Sequence, residues 1–251
     1  MNTLVADSFA SFGVFFRPLI LATVLFGLWR GLRRTALPGR TRLATWLAVA
    51  VPLLLWFVLI LQLAQAGFFV ARPGSRVPGI PLAVVVPLVT GLVLLTRSSR
   101  VTAAADVTPL HWLVGVQVFR VLGAAFLLQW AAGRLPGVFA IPAGTGDVLV
   151  GLLALPAALY LRSGRPGGRA VAYVWNWLGI LDLAVALTLG FLSSPTRFQV
   201  LALDAPNRVV GTYPLVMIPA FAVPLALILH GLSIWQLRRS ARAGGRGPAM
   251  A

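Results

Sequence analysis

Long apolar segments, each about long enough to cross a bilayer, constrain this chain more than any other feature. Hydrophobic residues make up 59% of its 251 positions and charged residues only 10%, whereas a soluble domain carries about 25% charged residues. The apolar residues run continuously instead of alternating or recurring with a helical period. Because a helix needs about 20 such residues to cross the hydrocarbon core, the pattern predicts an all-α integral membrane helical bundle.

Seven segments are of roughly this length, although the third is short, and short links separate them. They cover residues 9–29, 43–70, 80–95, 110–131, 138–161, 170–191 and 214–237. We therefore expect one seven-helix transmembrane domain over residues 1–239. Residues 240–251 are rich in Gly and Arg, and this composition predicts a disordered cytoplasmic tail.

The distribution of arginine predicts the orientation. All 21 basic residues are Arg; 14 of them follow spans one, three, five and seven, and five lie in the other links. Short loops rich in Arg remain in the cytoplasm, which places the N-terminus outside and the C-terminus inside. The absence of Lys and the abundance of Ala, Gly and Pro favour a GC-rich bacterial genome, so we expect a bacterial inner membrane protein.

Several other classes of function do not fit the composition. The residues that give the net charge of +16 lie mostly in the links between spans. They do not form the basic stripe with aromatic residues that is typical of nucleic-acid-binding proteins. The expected partner is therefore the lipid bilayer and not nucleic acid. The chain lacks Cys, which excludes disulfides and thiolate metal sites, and it lacks Lys, which excludes a P-loop. Its two histidines, His111 and His230, lie at different predicted depths and do not fit one haem. We expect no metal and no cofactor.

Ionisable residues inside the predicted spans are the candidates for function. A charge at membrane depth costs at least about 2.5–3.5 kcal/mol and normally faces a partner inside the bundle. Five polar side chains from five spans lie roughly 12–16 Å below the outer end, at 1.5 Å per residue. They are Arg17, Gln62, Arg120, Asp147 and Asp182. Two cations and two anions at one depth predict a buried ionic layer that binds a ligand.

A second polar group lies deeper, roughly 21–24 Å from the outer end. It consists of Gln117, Asn176 and His230, which come from three different spans. Histidine is the side chain that ordinarily changes charge near neutral pH, so His230 is a candidate proton carrier on an inner polar path. The alternative is that His230 only bonds a backbone carbonyl and never titrates.

The leading functional hypothesis is a small-solute or proton-linked transporter. Asp147 and Asp182 are then proton or cation sites, and Arg120 is their counter-ion or an anion contact. Pro142, Gly144 and Gly146 precede Asp147, and a broken helix beside a charge is typical of transporter binding sites. An ordinary flexible helix entry is the other interpretation of these three residues.

Two further hypotheses remain open. Gly144-Thr-Gly-Asp147 matches the G-x-G-D pattern of presenilin-like intramembrane aspartyl proteases, in which two carboxylates share a proton. Against this hypothesis, the order of motifs differs and nearby arginines favour two ionised carboxylates. The third hypothesis is a non-catalytic assembly protein, in which the buried ion pairs only join helices.

Four stretches of the chain resemble a family of uncharacterised bacterial multi-pass membrane proteins. They are 117–120 (QVFR), 135–147 (LPGVFAIPAGTGD), 175–182 (WNWLGILD) and 224–230 (PLALILH). The resemblance covers the last four predicted spans and implies no known activity.

The orientation can be tested with reporter fusions. We expect cytoplasmic signals from reporters fused after Arg34 and Arg239, and external signals from reporters fused after Arg76 and Arg134, because of the arginine asymmetry. A cytoplasmic signal at Arg76 or Arg134 would contradict the predicted topology.

Overall fold

The computed structural model is all-α over its described residues, 3–72 and 79–244, with side chains described for 16–72 and 79–240. The α-helices are α1 (Thr3–Leu32), α2 (Gly39–Gln65), α3 (Gly79–Arg97), α4 (Ser99–Val107), α5 (Leu110–Gly115), α6 (Ala124–Ala131), α7 (Gly137–Arg162), α8 (Gly168–Ser193) and α9 (Val223–Gly244). A 3₁₀ segment, Val116–Gly123, joins α5 to α6, and a π-helical turn, Ile218–Ala222, leads into α9.

Six helical segments of the described part are long and apolar enough to cross a membrane. They are Gly39–Gln65, Gly79–Arg97, Leu110–Ala131, Gly137–Arg162, Gly168–Ser193 and Ile218–Ser240. The seventh predicted span, residues 9–29, falls on α1, whose side chains are described only from residue 16. The chain is thus a helical membrane-type protein with six apolar candidate spans, and the count of seven stays a prediction.

The ends of several predicted spans differ from the helices. α2 ends at Gln65, so residues 66–70 fall in the following link, and the last span begins at Ile218 instead of residue 214. Ser240 continues α9, which runs to Gly244, so the helix enters the predicted tail; the remainder of the tail, residues 245–251, lies outside the described residues.

The helix α4 was not predicted. It occupies the link after α3, where the arginines and serines indicate only a loop. The hydroxyl of Ser98 accepts a hydrogen bond from the backbone N–H of Val101, 3.4 Å away, which caps the first turn of the helix. Ala104 and Ala105 are buried because α4 packs against α1, α2 and α3.

Two of the candidate spans depart from regular α geometry: Leu110–Ala131 contains the 3₁₀ segment, and Ile218–Ser240 begins with the π-helical turn. The helix α7 is regular. The middle of the fourth predicted span is eight residues of 3₁₀ helix, and such runs rarely exceed three or four residues. By contrast, α7 continues unbroken through Pro142, Gly144 and Gly146. The interpretation of these three residues as a helix break is therefore wrong.

A cluster of large side chains fixes the π-helical turn that leads into α9. Phe221 is fully buried, and its ring lies 4.9 Å from the rings of both Trp56 and Phe57 on α2. Contacts of this kind stabilise a membrane bundle through dispersion, since lipid tails are as apolar as the side chains themselves. This cluster therefore ties α2 to the start of α9.

Replacing Phe221 by Ala should destabilise the folded bundle by about 3–5 kcal/mol, because a ring is lost from a site that cannot collapse fully. The measurement is the midpoint of thermal unfolding in detergent. Phe68→Ala is the matched control, since the ring of Phe68 is half exposed. Equal midpoints for the two variants would contradict this account of the packing.

Candidate functional site

The guanidinium of Arg120 lies between two buried carboxylates. Its Nε and Nη2 atoms are each 2.8 Å from Oδ1 of Asp147 on α7, and Nη2 also donates to Oδ2 of Asp182 on α8. The Arg120 side chain is almost completely buried, whereas that of Asp182 keeps 13% of its surface exposed. Asp182 is thus the most accessible charge of the three.

The remaining nitrogen of Arg120 faces α8 and α9. Nη1 lies 3.3 Å from the carbonyl oxygen of Gly179 and 3.3 Å from Nε2 of His230. A guanidinium can only donate, so Nε2 must accept and the imidazole hydrogen must sit on Nδ1. In this arrangement His230 is neutral.

The hydrogen-bond chain continues along α8 and α9. Nδ1 of His230 lies 2.9 Å from Oδ1 of Asn176, which must be the acceptor. The amide nitrogen of Asn176 then donates to Oγ of Ser233 at 2.8 Å and to the carbonyl oxygen of Ala172 at 2.7 Å. Each contact along this chain has a donor facing an acceptor, as low-dielectric surroundings require.

Glycines make the space that this network occupies. A Cβ atom at Gly123 would overlap the side chain of Asp147, and one at Gly146 would overlap the carboxylate of Asp182. A Cβ atom at Gly179 would overlap the ring of His230 and lie 3.0 Å from Nη1 of Arg120. The G-x-G-D sequence therefore lets a second helix bring its own acid close to the backbone of α7.

Arg17 on α1 lines the same region as Arg120 and Asp147. Its Nη2 donates to the carbonyl oxygen of Pro214 at 2.7 Å, and its Nη1 is buried without a hydrogen-bond partner among the described side chains. A cavity of about 30 Å³ lies between Arg17, Arg120 and Asp147, with apolar walls from the 3₁₀ segment, α8 and α9. This volume holds about two water molecules.

The structure joins most of the predicted site residues but separates two of them. Gln62 is exposed on α2 and does not reach the network. Gln117 is fully buried, but its amide nitrogen bonds the carbonyl oxygen of Leu113 in its own helix, 3.4 Å away. The buried ionic layer and the deeper polar group, which were predicted at two depths, form one network, because Arg120 contacts both the acids and His230.

Gly179 and Ser233 belong to the network but were not predicted as site residues. Asn176, Gly179 and Asp182 recur at intervals of three residues, as do His230 and Ser233. Residues three apart share one face of a helix, so this spacing was a usable signal. No signal in the sequence indicated that Gly123 accommodates the side chain of Asp147.

The network consists of paired charges that meet at Arg120. Among the described residues, no group of three His, Asp or Glu side chains is placed to hold a metal ion. Both carboxylates bond the same guanidinium, so Arg120 lies between the two acids that would have to share a proton in an aspartyl protease.

Replacing Gly179 by Ala should destabilise the protein by about 1–3 kcal/mol, because the new methyl group overfills a packed site. Gly231→Ala is the matched control on α9, where a Cβ atom meets nothing within 4 Å, and the loss of a helical glycine there should stabilise by about 0.5–1 kcal/mol. Thermal unfolding of both variants in detergent is the test. A neutral Gly179→Ala substitution would show that the close packing is not needed.

Comparison with known proteins identifies a family but no activity. No curated protein and no solved structure matches the chain. The model of a family described as a domain of unknown function, DUF8737, matches residues 77–238. The match covers more than half of the chain and includes Arg120, Asp147, Asp182 and His230. The protein therefore belongs to the DUF8737 family of domains of unknown function.

Proposed function

We propose that this protein is a proton-linked transporter of a small anionic solute. The solute binds beside Arg120 in an occluded form of the protein. The observation that carries the proposal is that two guanidinium groups, of Arg17 and Arg120, line one cavity together with Asp147, and that Nη1 of Arg17 has no hydrogen-bond partner among the described side chains. A buried donor without an acceptor costs about 1–3 kcal/mol. A pair of helices held only by ion pairs has no need of a second guanidinium beside a cavity.

The solute competes with the carboxylates for the guanidinium groups. An anion in the cavity would meet Arg17 and Arg120 together, and Arg120 would then bond Asp182 less strongly. A buried carboxylate that loses its counter-ion takes up a proton. One anion and one proton thereby enter as a neutral pair, which avoids adding a net charge inside the bundle.

Asp182 is the proposed proton site because its side chain keeps some exposure, and Asp147 remains bonded to Arg120. His230 can accept a proton on Nε2 only after Nη1 of Arg120 has withdrawn. Nη1 can only donate, so a protonated Nε2 would place two donors against each other. The inner path through Asn176 and His230 would therefore operate only when Arg120 has moved.

Flux into proteoliposomes tests this function. A pH-sensitive dye inside the vesicles should report proton entry when a gradient of a small anion, such as formate, acetate, nitrate or chloride, is imposed. Asp182→Asn should lower proton entry to that of protein-free vesicles, since the amide cannot carry the proton. Asp204→Asn is the matched control, because Asp204 is an exposed acid in the link after α8.

The same assay decides between the proposal and its rival. Equal flux from wild type, Asp182→Asn and His230→Phe would refute proton coupling through this network. If none of these anions produces flux above that of protein-free vesicles, the assembly-protein hypothesis is favoured.

A further inference from the structure

A large apolar cavity lies apart from the charged network, between α2, α3 and α9. Its volume is about 410 Å³, within the range of ligand-binding pockets. Thr90 and Thr108 are among the few polar residues on its walls, which consist mainly of aliphatic side chains with Trp56 and Trp112. The cavity is thus built for hydrocarbon and not for the solute proposed above.

The cavity opens sideways, toward the surroundings of the bundle. α2 and α3 follow each other in the chain but scarcely touch, and they are the least buried of the candidate spans. Leu55, Leu59 and Val86 belong to its wall and are each more than half exposed. In a membrane, this gap gives lipid direct access to the cavity.

The length of the cavity corresponds to one leaflet. Its wall on α2 runs from Ala48 to Leu59, which is about 16 Å at 1.5 Å per residue. The hydrocarbon core is about 30 Å thick, so the cavity covers about half of it. It ends at Val101, Ala104 and Ala105 of α4, on the arginine-rich side.

Three exposed arginines are close in sequence to residues that line this end. Leu28, Leu95 and Val101 line the cavity there, and each lies within two residues of an exposed arginine in the sequence. These rim arginines are Arg30, Arg97 and Arg100. Among the described residues, the one acid on this side is Asp106, which lies 3.5 Å from Arg239.

We propose that this cavity binds an anionic phospholipid, with its acyl chains between α2, α3 and α9 and its phosphate group against the rim arginines. An apolar channel one leaflet long accounts for the chains, and the uncompensated positive charge at its end accounts for the headgroup. Basic residues beside membrane helices attract anionic lipid in this way. This site does not depend on the transport function.

Lipid retention tests the proposal. The protein is solubilised from vesicles of equal phosphatidylglycerol and phosphatidylcholine, washed with detergent, and the lipid that remains is measured by mass spectrometry. We expect unmodified protein to retain phosphatidylglycerol preferentially at low salt. The preference should disappear at about 1 M salt, where the Debye length falls to about 3 Å. Equal retention of the two lipids at low salt would overturn the proposal.

Two pairs of variants separate the headgroup site from the cavity. Arg97→Gln with Arg100→Gln should lower the preference for phosphatidylglycerol about tenfold, whereas Arg72→Gln with Arg208→Gln, at exposed arginines of the other links, should not. Gly91→Leu should narrow the cavity and lower the retention of both lipids, since Gly91 lines the wall and a Cβ atom there fits at 3.7 Å from Ile228. Gly231→Leu, on an open face of α9, is its control. Full lipid retention by Gly91→Leu would also overturn the proposal.

Discussion

Arg120 needs an acceptor for each of its guanidinium nitrogens, because a buried charge without partners would cost several kcal/mol. Its three nitrogens take their acceptors from α7, α8 and α9, so one side chain determines how three helices are placed. The apolar side chains could pack in several ways at similar free energy, since lipid and protein interior are equally apolar to them. The directional bonds of Arg120 select one of these arrangements.

Because Arg120 must bond acceptors on α7, α8 and α9, these helices must approach closely. The side chains of Asp147, Asp182 and His230 reach Arg120 only because Gly123, Gly146 and Gly179 leave space beside them. Small residues at helix interfaces are common in membranes, but here the space is filled by polar groups of the facing helix. The glycines and the charges therefore form one structural unit.

The sequence was sufficient to predict a helical membrane-type protein, most helix positions and the charges that lie inside the bundle. Charge at membrane depth is expensive, so Arg120, Asp147 and Asp182 could be assigned to the interior from hydropathy alone. Gln62 could not be assigned correctly, because an amide costs less than a charge and its depth does not define its direction around the helix. The 3₁₀ segment and α4 were missed because they depend on tertiary contacts. The Ser98 cap is a local signal only for the start of α4.

Arg120 lies within a 3₁₀ segment, so its position depends on the helix type of that segment. Eight residues rise about 16 Å in 3₁₀ geometry but about 12 Å in α geometry, and each residue turns about 20° less around the axis. Conversion of Val116–Gly123 to α-helix would therefore shorten the span by about 4 Å and rotate Arg120 relative to α5.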